Sequence, residues 1–422
     1  MMKYRIIIAV LTMLCMSATY TAFGAGLSKQ FQPYISLKEE YTDNLNLTSE
    51  NELNDSITTI QPGLKFLNMD ETSGIDLDYM IGLVYYRNNN DLNYVSHNGS
   101  LSAKYLTKNR INFFLKESFI RSEDPREQEF FTTTADNRYV LSTQRERAVY
   151  WRNVIAPTAE YQFGAENRLG INYRNNTYRT DNTASQDSQE NFINPYLSYW
   201  FNKQNGIFFD YGFTDGDFQI NPHMTGHKAN ARYTYRFDAK SSVFAEYAFT
   251  RRTFESPGLD YDVHEPVLGI IYSLSPRLMA MIQASYYWME PDTGSKQTGF
   301  GYMGELHNLD PRTTYQLSLQ GGYTEDYFTS QNLGFNKYHR LTGSVKHMLE
   351  KNISVGGLGS IERAEYSSGQ NDTIWGVTGT GSYMLFKWLA LVLEVSHRAT
   401  ESNVASSEYA ENRAMFLITA TY

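Results

Sequence analysis

Apolar and polar residues alternate with period two along almost the entire chain, in segments of roughly ten to fifteen residues. Successive side chains of a β-strand point to opposite faces, so this pattern describes sheet with one apolar and one polar face throughout. The last segment shows it best. Ala410, Asn412, Ala414, Phe416, Ile418, Ala420 and Tyr422 share one face, and Glu411, Arg413, Thr419 and Thr421 take the other with Met415 and Leu417. Ile75, Leu77, Tyr79, Ile81, Leu83 and Tyr85 likewise alternate with Asp76, Asp78, Met80, Gly82, Val84 and Tyr86. Ala229, Ala231, Tyr233, Tyr235 and Phe237 oppose Lys228, Asn230, Arg232, Thr234 and Arg236. One face suits lipid and the other needs water, and aromatics gather near segment ends, where a headgroup-level girdle places them.

Composition separates the possible homes for such a sheet. Tyr and Phe number 33 and 24, yet mean hydropathy is −0.48. A disordered chain lacks those aromatics, and a helical membrane protein is far less polar. Beyond the first two dozen residues no apolar run approaches the ~20 residues of a membrane helix. A soluble β-sandwich or β-helix also has period two, but its buried face is rich in Val, Ile and Leu rather than Tyr and Phe. The expectation is an all-β fold: a single closed antiparallel transmembrane β-barrel of about 18–20 strands. Its short periplasmic turns lie at residues 68–73, 108–109, 238–240, 275–276 and 350–352, and its longer outer loops at 42–55, 123–144, 181–189, 215–225, 325–336 and 401–407.

The first residues read as an address. Lys3 and Arg5 precede an apolar stretch from Ile6 to Met16, and Ala22-Phe23-Gly24 offers a cleavage site before Ala25. Residues 1–24 are therefore expected to be a signal peptide and 25–422 one barrel domain of the bacterial outer membrane. Cys15, the single cysteine, falls within the signal and is preceded by Thr12-Met13-Leu14, so neither disulfide nor lipid anchor is expected. Removing Lys3 and Arg5 leaves 35 basic against 46 acidic residues, a formal −11, which argues against a nucleic-acid partner. The partners expected are outer-membrane lipid and the barrel assembly machinery, which a C-terminal aromatic strand such as this one would address.

Catalytic and metal chemistry find little support. The eight histidines are scattered; His223 and His227 are four apart, a spacing that converges on a helix but not on a strand. Ser96-His97-Asn98-Gly99-Ser100 superficially resembles a membrane phospholipase motif, but neighbours in a strand face opposite sides. No catalytic, cofactor or metal residues are assigned, and no enzyme is expected. Asp43-Asn44, Asn88-Asn89-Asn90-Asp91, Asp136-Asn137 and Asp181-Asn182 carry oxygen donors suited to calcium, and equally the residues that make turns.

The inward face is the functional candidate. Tyr34, Asp76, Asp78, Tyr86, Lys116, Arg168, Arg174, Asp210, Arg232, Arg236, Glu246 and Glu305 are expected to line a lumen of mixed sign, with Glu40, Phe114, Tyr178, Phe208, Arg252 and Tyr287 beside them. Rings that stack on sugars and charges that bond hydroxyls could guide a carbohydrate; the stronger reading is that any wide barrel requires a polar wall and that inward Tyr fills space beneath folded loops. The loop from Glu123 to Gln144, with Phe130-Phe131, is the candidate constriction or lid.

The opening strand reads Gln32-Pro33-Tyr34-Ile35-Ser36-Leu37-Lys38-Glu39-Glu40-Tyr41-Thr42-Asp43-Asn44-Leu45-Asn46-Leu47-Thr48, and the next carries Ile60-Gln61-Pro62-Gly63-Leu64. This resembles the outer-membrane β-barrel porins found with bacterial exopolysaccharide synthesis and export systems, whose first strand ends in Tyr-x-Asp-Asn and returns through a Pro-Gly strand. The resemblance implies a passive conduit for polysaccharide, working with periplasmic export components; it carries no binding residues. A general solute porin is the alternative, with a loop-mediated adhesion or structural protein behind it.

Overall fold

The computed structural model describes residues 31–124, 147–182, 186–328 and 334–422. The proposed signal peptide and most of the 123–144 loop, Phe130, Phe131, Asp136 and Asn137 included, lie outside the described residues. Twenty strands follow one another: β1 (Phe31–Thr42), β2 (Asp55–Met69), β3 (Ser73–Tyr86), β4 (Tyr94–Leu106), β5 (Ile111–Ser122), β6 (Tyr150–Gln162), β7 (Arg168–Thr180), β8 (Ser188–Trp200), β9 (Asn205–Phe218) and β10 (Met224–Arg236) form the first half. The second half is β11 (Ser241–Phe254), β12 (Tyr261–Ser275), β13 (Leu278–Pro291), β14 (Gln297–Leu309), β15 (Thr313–Asp326), β16 (Gly334–Glu350), β17 (Ile353–Tyr366), β18 (Asn371–Phe386), β19 (Leu389–Ser402) and β20 (Tyr409–Thr421).

Each strand pairs antiparallel with the next, and β1 pairs with β20 from Tyr34↔Thr421 to Thr42↔Arg413, so the sheet closes with no free edge of the whole. The even count and up-and-down order agree with the sequence expectation. One face of the strands carries the exposed apolar side chains, among them Ile35, Leu37, Leu77, Ile171, Leu268, Ile282, Leu317 and Phe416. A soluble fold would not leave such a belt in water. Phe416 and Tyr422 lie on that outer face, whereas Ser36 and Thr419 meet across the closing seam on the inner one, 2.8 Å apart.

Connections at the end that holds both described termini span two to five residues, from 276–277 and 351–352 up to 163–167. Those at the other end are less uniform than expected. The proposed loops at 215–225 and 325–336 are partly strand: β9 and β10 stay paired up to Gly216↔Met224, and β15 and β16 up to Asp326↔Gly334. Hairpins that continue above the apolar belt need only short links.

Glycine and aromatic side chains interlock on the inner wall. The Tyr34 ring lies flat over Gly63 of the neighbouring strand, where a Cβ would come within 2.2 Å of it, and reaches Asp78 one strand further on at 2.7 Å. Tyr196 crosses Gly170 in the same way to Glu160 at 2.8 Å. The Pro62-Gly63 pair thereby acquires a physical meaning. Proline gives up a ladder bond mid-strand, and glycine admits the ring of the strand before.

Among the described residues the pairing stops well short of the strand end between β14 and β15. β14 and β15 pair from Leu309↔Thr314 only as far as Tyr302↔Gly321, although β13 continues to hold β14 up to Met289↔Gln297. Beyond Gly321-Gly322 the β15–β16 tip turns into the barrel. Leu317 and Leu319 face outward, and the same parity carries Tyr323 and Glu325, which are only 3 % and 2 % exposed. They pack with Phe335 against the inner side of β12 and β13, at Tyr261, Val263, Tyr287 and Met289. Gly299 admits the Tyr287 ring there, and Lys337 donates to the Thr298 carbonyl at 3.1 Å across the overlap.

Candidate functional site

The lumen is built from the inward residues of every strand. Between β7 and β16 it holds a cavity of about 950 Å³, walled by Asn172, Asn194, Asp210, Asn230, Gln283 and Gln320 with the rings of Tyr196, Phe208 and Tyr338. Its wall carries both signs, and several charges there and elsewhere along the lumen are paired. Arg174 grips Glu190 through two nitrogens, at 2.7 and 3.3 Å, while Arg232 bonds Glu246 and Arg340 bonds Glu362 at 2.5 Å. Arg398 bonds Glu411 at 2.7 Å and Arg413 bonds Glu394 at 2.5 Å. Each pair joins adjacent strands, so opposite charges that cross-strand spacing brings together neutralise one another locally. Such a wall is wet and strongly polar without presenting a large field of one sign.

The twelve residues expected on the lumen side all occupy the strand parity opposite the exposed apolar face. Their surroundings differ. Tyr34 and Asp78 are bonded together; Asp210, Arg232, Glu246 and Glu305 line the cavity; Arg174 is clamped to Glu190. Arg168 stands 3.7 Å from Glu160 and Arg236 bonds Glu166, both at the turn-bearing end. Asp76 lies 3.8 Å from Lys65, and Lys116 is exposed. Tyr86 points inward but does not line open space. It is 1 % exposed, covered by Leu45, Ile57 and Tyr94, with the Arg147 guanidinium 4.6 Å from its ring centre, because the β1–β2 loop folds down over it. Arg252 and Tyr287 are also covered, by the inturned tip.

That tip is the principal element that sequence reasoning missed. Arg252 of β11 donates to both Glu325 oxygens, at 3.1 and 2.9 Å, and the Tyr261 hydroxyl bonds the same carboxylate. Phe328 then reaches Met224 and Phe218 at the tops of β9 and β10, so the described part of the tip crosses the outer half of the lumen. The available signal was Glu325 itself: a carboxylate at a lipid-facing parity has to be buried against a partner.

Among the loop residues weighed for calcium, Asp43, Asn88 and Asn89 are tied into the protein. Asp55 accepts the backbone N–H groups of Asn88 and Asn89, at 3.0 Å each, and Asp43 accepts from Asn412. Ser96 and His97 face opposite sides, the first buried inward and the second bonded outward to Tyr79. His223 does meet two carboxylates, Asp215 at 3.0 Å and Asp217 at 3.7 Å. The partners come from the adjoining hairpin strand, not from His227, and their ligand atoms are close enough together to accept a cation.

Residues 223–422 match the family model described as "Putative beta-barrel porin 2". No curated protein matches the sequence. Among solved structures the chain is similar to OpdK of Pseudomonas aeruginosa with vanillate, at 9 % identity over 93 % of this chain and 99 % of that one, with TM-score 0.44. It is also similar to OccAB2 of Acinetobacter baumannii, at 8 % identity over 93 % and 97 %, with TM-score 0.43. The closed barrel with its outward apolar belt is the fold of a protein of the bacterial outer membrane, and residues 223–422 are similar to that porin family. The family matched is one of channels rather than enzymes.

Proposed function

We propose that the protein is a general pore for small hydrophilic solutes, narrowed in its outer half by the inturned β15–β16 tip. The observation that carries this reading is the wet cavity between β7 and β16, whose amide and aromatic lining is set among charges already paired. A neutral solute can exchange hydrogen bonds with such a wall without confronting a field that excludes one sign. Polysaccharide export, the other reading of the opening strands, requires an outer half wide enough for a threaded polymer, and the crossing by Phe328 favours small cargo instead.

Purified barrel in planar bilayers and liposome swelling test the proposal together. Wild-type protein is expected to conduct steadily and to pass small sugars and amino acids. Arg252→Ala with Glu325→Ala, which removes both charges that hold the tip, should raise conductance and admit larger solutes. Silence of both proteins would overturn the pore. Loss of surface polysaccharide on gene deletion, with small-solute uptake unchanged, would replace it by polymer export.

A further inference from the structure

Four outward-facing histidines lie on the membrane side, each held by a tyrosine. The Tyr79 hydroxyl meets His97 Nδ1 at 2.8 Å, Tyr211 meets His227 at 2.5 Å, Tyr247 meets His264 at 2.7 Å and Tyr302 meets His339 at 2.8 Å. His97, His227 and His264 are each the fourth residue of a descending strand. Tyr105, Tyr235 and Tyr272 stand eight residues below them on the same strands. At ~3.3 Å per residue and a tilt near 40° that is roughly 20 Å of vertical height, close to the apolar band of an outer-membrane barrel. The histidines therefore mark the outer hydrocarbon boundary, and the lower tyrosines the inner one.

Register adds a cation. Arg121 lies directly opposite His97, Arg251 opposite His227 and Arg363 opposite His339. All three arginines share the outward parity, since their chain neighbours Ile120, Thr250, Arg252 and Ala364 are buried on the inner side. Three rows result: Tyr79–His97–Arg121 on β3 to β5, Tyr211–His227–Arg251 on β9 to β11, and Tyr302–His339–Arg363, which runs from β14 over Gly321 to β16 and β17. Opposite residues of a strand pair hold their Cβ atoms ~5 Å apart, so imidazole and guanidinium reach one oxyanion together.

In the tautomer in which the tyrosine donates to Nδ1 the proton sits on Nε2, and an N–H at the hydrocarbon boundary needs an oxygen acceptor. Arg121 donates to the Val95 carbonyl at 2.9 Å, Arg251 approaches Asp262 and Arg363 approaches Glu365, each at 3.5 Å. Those contacts orient the guanidinium groups and leave most of their N–H donors to the outside, five being present on each. The fourth pair, Tyr247–His264, has Trp288 stacked at 5.0 Å in place of arginine and lacks the cation.

We propose that the three Tyr–His–Arg rows bind the phosphate groups of phosphorylated lipids in the outer leaflet, and so fix both the depth of the barrel and a shell of retained lipid. The test uses the intact barrel in mild detergent, offered a diphosphorylated disaccharide lipid or the same lipid stripped of phosphate. Native mass spectrometry counts the molecules retained. Wild-type protein is expected to favour the phosphorylated form about tenfold, and Arg121→Gln with Arg251→Gln and Arg363→Gln to abolish the preference. Equal retention of the two lipids by wild-type protein, which requires no variant, would overturn the proposal. So would an undiminished preference in the triple variant. Heat-modifiable migration verifies that each barrel is folded.

Discussion

At the scale of single residues, interlock between glycine and aromatic rings makes the sharpest prediction. In Gly63→Ala the added Cβ meets the Tyr34 ring, so the ring must swing away from Asp78. We expect a loss of about 1–3 kcal/mol in urea unfolding from detergent micelles. Gly381→Ala, where nothing lies within 4 Å, should unfold like the wild type. A second prediction concerns acid. Arg236 donates to both Glu166 oxygens, at 2.9 and 2.7 Å, and this hydrogen bonding, with its charge, holds the Glu166 carboxyl below its ordinary range. A depressed carboxylate stabilises the fold above its unfolded pKa and loses that contribution as pH falls through the folded value. The latch should weaken below about pH 4. Glu166→Gln should flatten that part of the pH–stability curve, and an unchanged curve would show that the latch does not matter.

At the scale of elements, strand identity was legible because lipid on one side and water on the other impose a strict two-residue period. Asp76 and Asp78 declare the inner face of β3 as plainly as Leu77 and Tyr79 declare its outer face. The inturned tip obeys the same period and so was hidden by it. Tyr323 and Glu325 keep their parity, and only the surroundings of that parity change, from membrane to the inner wall of β12 and β13. Tyr86 faces inward as the strand pattern directs, but the loop that folds back over its ring is long-range information that the pattern does not carry. The paired charges of the lumen depend likewise on register between strands, which alternation alone does not state. The closing strand carries a prediction of its own. The Tyr422 N–H donates to the Pro33 carbonyl at 2.9 Å, and Tyr422 is the most exposed large hydrophobic residue among those described, at 86 %. Removing Tyr422 costs one seam bond; on the reading that the assembly machinery recognises its exposed ring, we expect folded barrel in the membrane to fall severalfold. Equal yields of folded protein, read by heat-modifiable migration in membranes, would refute this.

At the scale of the whole molecule, the balance of paired charges predicts weak ion selectivity. Wild-type pores in a salt gradient should reverse close to zero voltage, and Glu246→Gln, which leaves Arg232 without its partner, should shift the reversal toward anion preference. No shift would mean that ions bypass this part of the wall. The overlap at β14 and β15 bears on a different property. A cylinder joined all round has a fixed girth, because widening it anywhere breaks a ladder of bonds. Here the margin of β14 from 297 to 301 lies over the tip with the Lys337–Thr298 contact spanning the gap, like the end of a belt laid over its own strap. The rim there is held by the tip's packing on β12 and β13 and by the Lys337–Thr298 bond in place of a continuous ladder, so we expect it to yield to stretching before the opposite rim does.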